Sequence, residues 1–293
     1  MASQPTIMIS GAAGLLGRRV VELLREQGFG RRIIPATRNP GKLAELTSQG
    51  VDVRRLDWED EASLAPALAG VDRLLIISGA QLPNRAENQV RLVNAAKAAG
   101  VKHLTYTSMV APERYQHIPI APSHFATEEA IKTSGLGYAI LQNLWYPDGL
   151  QQTLKRAIAT GRWDTSAGDG RVAYVTREDC ARVAAAVLSA DVAPTGTFLI
   201  TGAEALNARE LATVATALTG KPIEVGTLTV EGAAAGLRAP HLPEFVIALL
   251  TGIDRLNREG DAGTVSGDFE KLTGHKPTSV RDWLRTRAGE LAD

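Results

Sequence analysis

The chain has 293 residues, 44% of them hydrophobic and 22% charged, with 32 basic against 32 acidic side chains. That length and apolar content suit one large domain, or a domain with a smaller partner, and argue against disorder. Balanced charge without a basic stripe excludes nucleic acid as an expected partner, and the longest apolar run, residues 242–253, falls short of the roughly 20 residues a membrane-spanning helix needs.

Cys180 is the only cysteine, so no disulfide can close within the chain. In the helical context REDCARVAAAVL it reads as a small core residue rather than a nucleophile. The N-terminal MASQPTIMIS has no basic segment followed by an apolar stretch, and the reducing cytoplasm is the expected compartment.

The chain is organised around its first element. Thr6 to Ser10 is an apolar run suited to a buried central strand, and Gly11-x-x-Gly14-x-x-Gly17 follows without a gap. Arg18 to Gln27 then takes a helical period. Strand, glycine turn and helix together place unpaired helix N-terminal amides where a pyrophosphate can sit. Gly11 allows the sharp turn, Gly14 admits phosphate to the backbone, and Gly17 lets the helix lie close on the sheet, with Ala13, Leu15 and Leu16 completing the cradle.

Beyond it, strands are expected at Arg32–Thr37, Val51–Leu56, Arg73–Ile77, His103–Thr107 and Tyr138–Leu141, separated by helices over about 41–49, 59–69, 84–99 and 124–134. Such alternation predicts an α/β fold of the Rossmann type, a doubly wound parallel sheet with right-handed crossovers. Pro112, Pro119 and Pro122 break the pattern over Val110–Ser123, where a substrate wall or lid belongs. Later helices over about 147–160, 178–190 and 207–219 enclose weaker strands at Val172–Val175 and Phe198–Thr201, and Val280–Leu291 reads as a final surface helix. Residues 1–148 are thus expected to form the nucleotide-binding domain, joined by later strands from about 170–203, with 149–293 mainly a smaller substrate-binding domain.

Sites that prefer NAD usually place a carboxylate at the end of strand two. Thr37-Arg38-Asn39 stands there. Arg38 offers a planar fork to a 2′-phosphate and Lys42 a second positive charge, so NADP(H) is the expected cofactor; the plainer alternative makes Arg38 a solvated turn residue. Asp57, beside Trp58 at the end of strand three, either accepts from the adenine amino group or caps the helix expected to begin at Glu59.

GAAGLLG at 11–17, TRNP at 37–40, YTS at 106–108, HFATEEAI at 124–131 and LQNLWY at 141–146 resemble the NmrA-like group of atypical short-chain dehydrogenases/reductases, and within it the bacterial NAD(P)H:quinone oxidoreductases and triphenylmethane reductases. The resemblance implies an NADPH-binding Rossmann domain, a smaller C-terminal domain covering the acceptor, and often a homodimer. It places the nicotinamide-side segments on Ser78-Gly79, Ser108-Met109 and Asn143-Leu144-Trp145. Quinone reductases of this type usually carry lysine where Glu129 stands, and tend to carry arginine in place of Gln142.

Ketone-reducing members of the wider group use a Tyr-x-x-x-Lys pair. Four residues after Tyr106, Tyr115, Tyr138 and Tyr146 stand Val110, Pro119, Gln142 and Leu150, and Phe125 and Glu129 occupy the family's own pair of positions. Without a positioned acid, a simple ketone is a poor acceptor, since that acid is typically worth about 10² to 10⁴ in rate. A quinone or cationic dye yields a stabilised phenolate or neutral product, and orientation does most of the work. The expected function is therefore NADPH-dependent hydride transfer to a small conjugated electron acceptor; the alternative is a non-catalytic NADP(H)-binding redox sensor acting through a protein partner. His124 is the candidate proton shuttle, or else a helix-start histidine bound to backbone. Ser108 either polarises the acceptor or binds the nicotinamide ribose. Met109, Phe125, Trp145 and Tyr146 either form a flat pocket for a planar substrate or simply pack. No HxH, HExxH, Cys/His or GxSxG spacing occurs, which sets aside metal hydrolysis and acyl transfer.

Overall fold

The computed structural model describes residues 4–29, 32–79, 84–238 and 241–292. In chain order the elements are β1 (Ile7–Ser10), α1 (Leu15–Glu26), β2 (Ile33–Thr37), α2 (Ala44–Ser48), β3 (Arg54–Arg55), α3 (Leu64–Leu68), β4 (Arg73–Ile77), α4 (Arg85–Ala98), β5 (His103–Met109), α5 (Ala121–Thr133), β6 (Gly137–Asn143), α6 (Pro147–Thr160), β7 (Arg162–Thr165), α7 (Arg177–Ser189), β8 (Gly196–Ile200), α8 (Ala208–Thr219), β9 (Glu224–Thr227), α9 (Val230–Arg238), α10 (Glu244–Glu259), α11 (Asp268–Thr273), α12 (Val280–Arg285) and α13 (Ala288–Ala292).

Seven strands form one sheet in the order β3-β2-β1-β4-β5-β6-β8. β1 runs parallel to both neighbours, with Ile7 opposite Ile33 on one side and Arg73 on the other, and β4 is parallel to β5. This is the doubly wound order whose strand reversal beside β1 opens a crevice at the carboxyl ends. All four residues of β1 are buried, as a central strand covered by helices on both faces requires.

Contact density divides the chain into two units. One comprises Met1–Met109, Pro122–Gln142 and Arg177–Phe198; the other comprises Val110–Ala121, Asn143–Thr176 and Leu199–Asp293. A main core of the first includes Met8, Ile34, Leu74, Ile76, Leu104, Tyr106 and Ile140, packed with Leu68, Leu92 and Val93 from its helices. In the second, Leu150, Leu154 and Ile158 of α6 meet Leu211 and Ala215 of α8 and Trp283 and Leu284 of α12. Burying each such large aliphatic side chain contributes about 1.5–3 kcal/mol.

Several elements differ from the sequence expectation. β3 shrinks to two residues because it is the sheet's edge and its run is interrupted by Asp52, Arg54 and Arg55. Val172–Val175 is no regular strand: Val172 forms an isolated bridge to Leu206. α5 begins at Ala121 rather than His124, since Pro122 is tolerated in the first helical turn, where no intrahelical N–H bond is lost. The expected C-terminal helix is two, broken after Arg285. A second, two-stranded parallel sheet of β7 and β9 aligns Arg162 with Glu224 and Trp163 with Val225.

Candidate active site

The glycine turn has the geometry its spacing implies. Gly11 sits at φ +82°, a region costly for any side chain, and its N–H and that of Ala12 both donate to the Ala36 carbonyl of β2. A Cβ on Gly17 would lie 2.4 Å from the Gly11 oxygen and 2.8 Å from the Ala12 Cα, so only glycine permits α1 to start so near the turn. Gly14 is the helix N-cap and supplies no side-chain cap. The first hydrogen bond of the helix runs from the Arg18 N–H to the Gly14 carbonyl, so the amides of Leu15, Leu16 and Gly17 are the orphan donors of the helix start. Uncapped amides at the positive end of a helix fit a pyrophosphate.

At the end of β2, Arg38 is exposed, and Asn39 turns the chain by accepting from the Gly41 N–H at 3.1 Å. Lys42 is exposed one turn on. Arg18, which the sequence reading overlooked, reaches from α1 to donate to the Lys42 carbonyl at 3.2 Å and pairs with Glu45 at 2.6 Å. The nearest carboxylate along this turn is thereby occupied by a cation, and the ground is basic, as a phosphate requires. Asp57 does not cap a helix at Glu59. It accepts from the Glu59 N–H at 3.2 Å, two residues on, while the next helical turn begins only at Glu61. Trp58 closes the other side: its indole N–H donates to Ser10 Oγ at 3.1 Å, and its ring lies 3.0 Å from where a Cβ on Gly79 would stand. Ser78 is held by donating its N–H to Thr107 Oγ1 at 3.0 Å.

Ser108 and His124 are brought together at the end of β5, in a buried polar chain. Ser108 Oγ lies 3.4 Å from His124 Nδ1 and donates to Glu128 Oε1 at 2.7 Å. Glu128, 1% exposed, also accepts from Gln142 at 3.0 Å and Lys132 at 3.3 Å. His124 Nδ1 is 2.9 Å from the Tyr106 hydroxyl, and Nε2 is 2.8 Å from an Arg85 amino group. Burial, then the Arg85 charge, hold the His124 pKa well below the ordinary value. Burial likewise pushes the Tyr106 phenol up.

Phe125 is half-buried and Glu129 is exposed, paired with Lys132 at 3.1 Å. The residues one step earlier, His124 and Glu128, are the ones α5 carries onto Ser108, four apart and so on one face. The fifth tyrosine, Tyr174, has Glu178 four residues on. Arg85, Tyr106 and Glu128 were missed because each reads alone as an ordinary helix or strand residue.

Met109 ends β5 and is buried. In the second unit, Asn143 is 7% exposed, and its Oδ1 has no hydrogen-bond partner among the described residues. Leu144 is buried and donates its N–H to the Ile200 carbonyl. Trp145 donates its indole N–H to Asn257 Oδ1 at 3.1 Å, and Tyr146 precedes α6 as its N-cap, half-buried. Among the described residues no group of His, Cys, Asp and Glu could hold a metal ion, and no helix is long and apolar enough to cross a membrane.

Several known proteins are similar to this chain over nearly its whole length. Quinone oxidoreductase 2 of Escherichia coli (strain K12) is 34% identical over 276 residues, covering 94% of this chain and 96% of the relative. The crystal structure of NADPH-dependent quinone oxidoreductase from E. coli complexed with NADPH superposes with a TM-score of 0.90 at 34% identity, over 98% of this chain and all of the other. Triphenylmethane reductase of Citrobacter sp., complexed with NADP(H), gives a TM-score of 0.86 at 32% identity over 97% and 99% of the two chains. The model of the NmrA-like family matches residues 3–284, and the chain belongs to that family.

Proposed function

We propose that the chain is an NADPH-dependent oxidoreductase that passes hydride to a quinone, a dye or a similar small conjugated electrophile. The observation that carries this reading is the uncapped start of α1, held against the turn by Gly17, with Arg38 and Lys42 at the end of β2. The same cofactor is bound in the similar quinone and triphenylmethane reductases.

In this reading the amides of Leu15, Leu16 and Gly17 hold the pyrophosphate, Arg38 and Lys42 the 2′-phosphate, and Trp58 walls the adenosine side. Ser78, Gly79, Ser108 and Met109 meet the nicotinamide half. Asn143 Oδ1, buried without a donor among the described residues, would accept from its carboxamide. When bound, NADPH supplies the hydride. The chain's own part is to orient the two reactants and exclude water, the effects that matter when the acceptor needs no positioned acid. Met109, Phe125, Trp145 and Tyr146 are the apolar residues proposed to meet the planar acceptor. A cytoplasmic setting is part of this reading, supported by a single cysteine that has no second cysteine in the chain to pair with.

The test is NADPH oxidation with a panel of quinones, triphenylmethane dyes and unactivated ketones. Turnover with the first two and none with ketones is expected. Absence of turnover with every acceptor, despite cofactor binding, would contradict the enzyme and favour the non-catalytic sensor.

A further inference from the structure

Arg85 is 7% exposed, it has no ion pair among the described residues, and its Nε is buried without a partner. Among the described residues its one hydrogen-bonding contact with a side chain is the 2.8 Å approach to His124 Nε2. A guanidinium only donates. Nε2 must therefore be the accepting nitrogen, which leaves the ring neutral with its single proton on Nδ1, 2.9 Å from the Tyr106 oxygen and 3.4 Å from Ser108 Oγ. At the other end of the chain the Ser108 hydroxyl hydrogen is taken by Glu128 at 2.7 Å, and Gln142 and Lys132 fill further acceptor sites of that carboxylate.

Resting on the reductase reading above, we propose that Arg85 and Glu128 are positioning residues that fix the proton on His124 Nδ1 and the hydrogen of Ser108, so that Ser108 presents lone pairs and no proton to its ligand. Ser108 then recognises a hydrogen-bond donor, such as a hydroxyl of the nicotinamide ribose, and offers no help to a developing alkoxide. This restricts the acceptor class to compounds whose reduced form disperses its own charge. Among the described residues, the charged or titratable groups facing the His124 ring are Arg85 of α4 and Tyr106 of β5, with Glu128 of its own helix one step beyond, through Ser108.

The test uses the full chain labelled with ¹⁵N-histidine. Without cofactor, the His124 ring of the wild type is expected to stay neutral, with its proton on Nδ1, between about pH 5 and 8. Arg85→Lys should keep that state, and Arg85→Met should let the ring titrate or change tautomer within the same window. In parallel, Glu128→Gln should raise KM for NADPH about tenfold, the loss expected for a hydrogen bond to a charged group, with a smaller change in kcat. A wild-type His124 that titrates in this window, or carries its proton on Nε2, overturns the proposal. So does a Glu128→Gln enzyme that loses kcat while KM is unchanged, since that marks a proton relay through Ser108. The ring measurement needs no turnover, so its failure is distinct from failure of the reductase reading.

Discussion

Gly17 shows how one missing methyl group can decide a site. A Cβ there would stand 2.4 Å from the Gly11 carbonyl oxygen and 2.9 Å from its carbon, and backbone cannot step aside as a flexible side chain would. Gly17→Ala is expected to cost about 1–3 kcal/mol, the usual penalty for overpacking, read as a lower urea midpoint, and to weaken NADPH binding as α1 is pushed from the turn. Histidine burial has a separate consequence for the pH dependence of stability. His124, by burial and then the Arg85 charge, and His103, chiefly by burial, have folded-state pKa values below the ordinary 6.5. The unfolded chain therefore binds more protons below that value, so the contribution is fully present above it and is lost as the pH falls towards the folded-state values. Urea midpoints should fall between about pH 7 and pH 5, and His124→Asn should flatten that fall.

At the scale of elements, α5 turns His124 and Glu128 inward, while Glu129, at one of the family's pair of positions, is exposed. Replacing Glu129 with the lysine usual in quinone reductases is expected to change stability by no more than about 0.5 kcal/mol, as for other exposed substitutions, and to leave kcat unaltered. A large rate change would show that position 129 reaches the acceptor after all. The elements around β1 were legible because a buried four-residue run, three spaced glycines and an amphipathic helix all signal the same unit. The polar chain was not, because Arg85, Tyr106, Ser108, His124 and Glu128 come from three elements, and no short-range pattern records that they converge. β7 and β9 were equally silent: RWDT and EVGT are short, mostly exposed or half-exposed, and lack apolar alternation.

Across the whole molecule, sheet order does the organising. With β1 between β2 and β4, Gly11, Arg38 and Ser78 each follow the carboxyl end of a neighbouring parallel strand. A dinucleotide laid there would reach from the turn after β2 towards the end of β5, so that in the proposed reading one cofactor would account for residues so far apart in sequence. The most direct measurement is calorimetric titration of NADPH and NADH into the wild type and Arg38→Ala. NADPH is expected to bind at least about tenfold tighter than NADH, the worth of one charge-assisted contact, with most of that margin lost in Arg38→Ala. Equal affinity for the two cofactors in the wild type, or binding of neither, would contradict the assignment of α1 and Arg38 as the NADPH site.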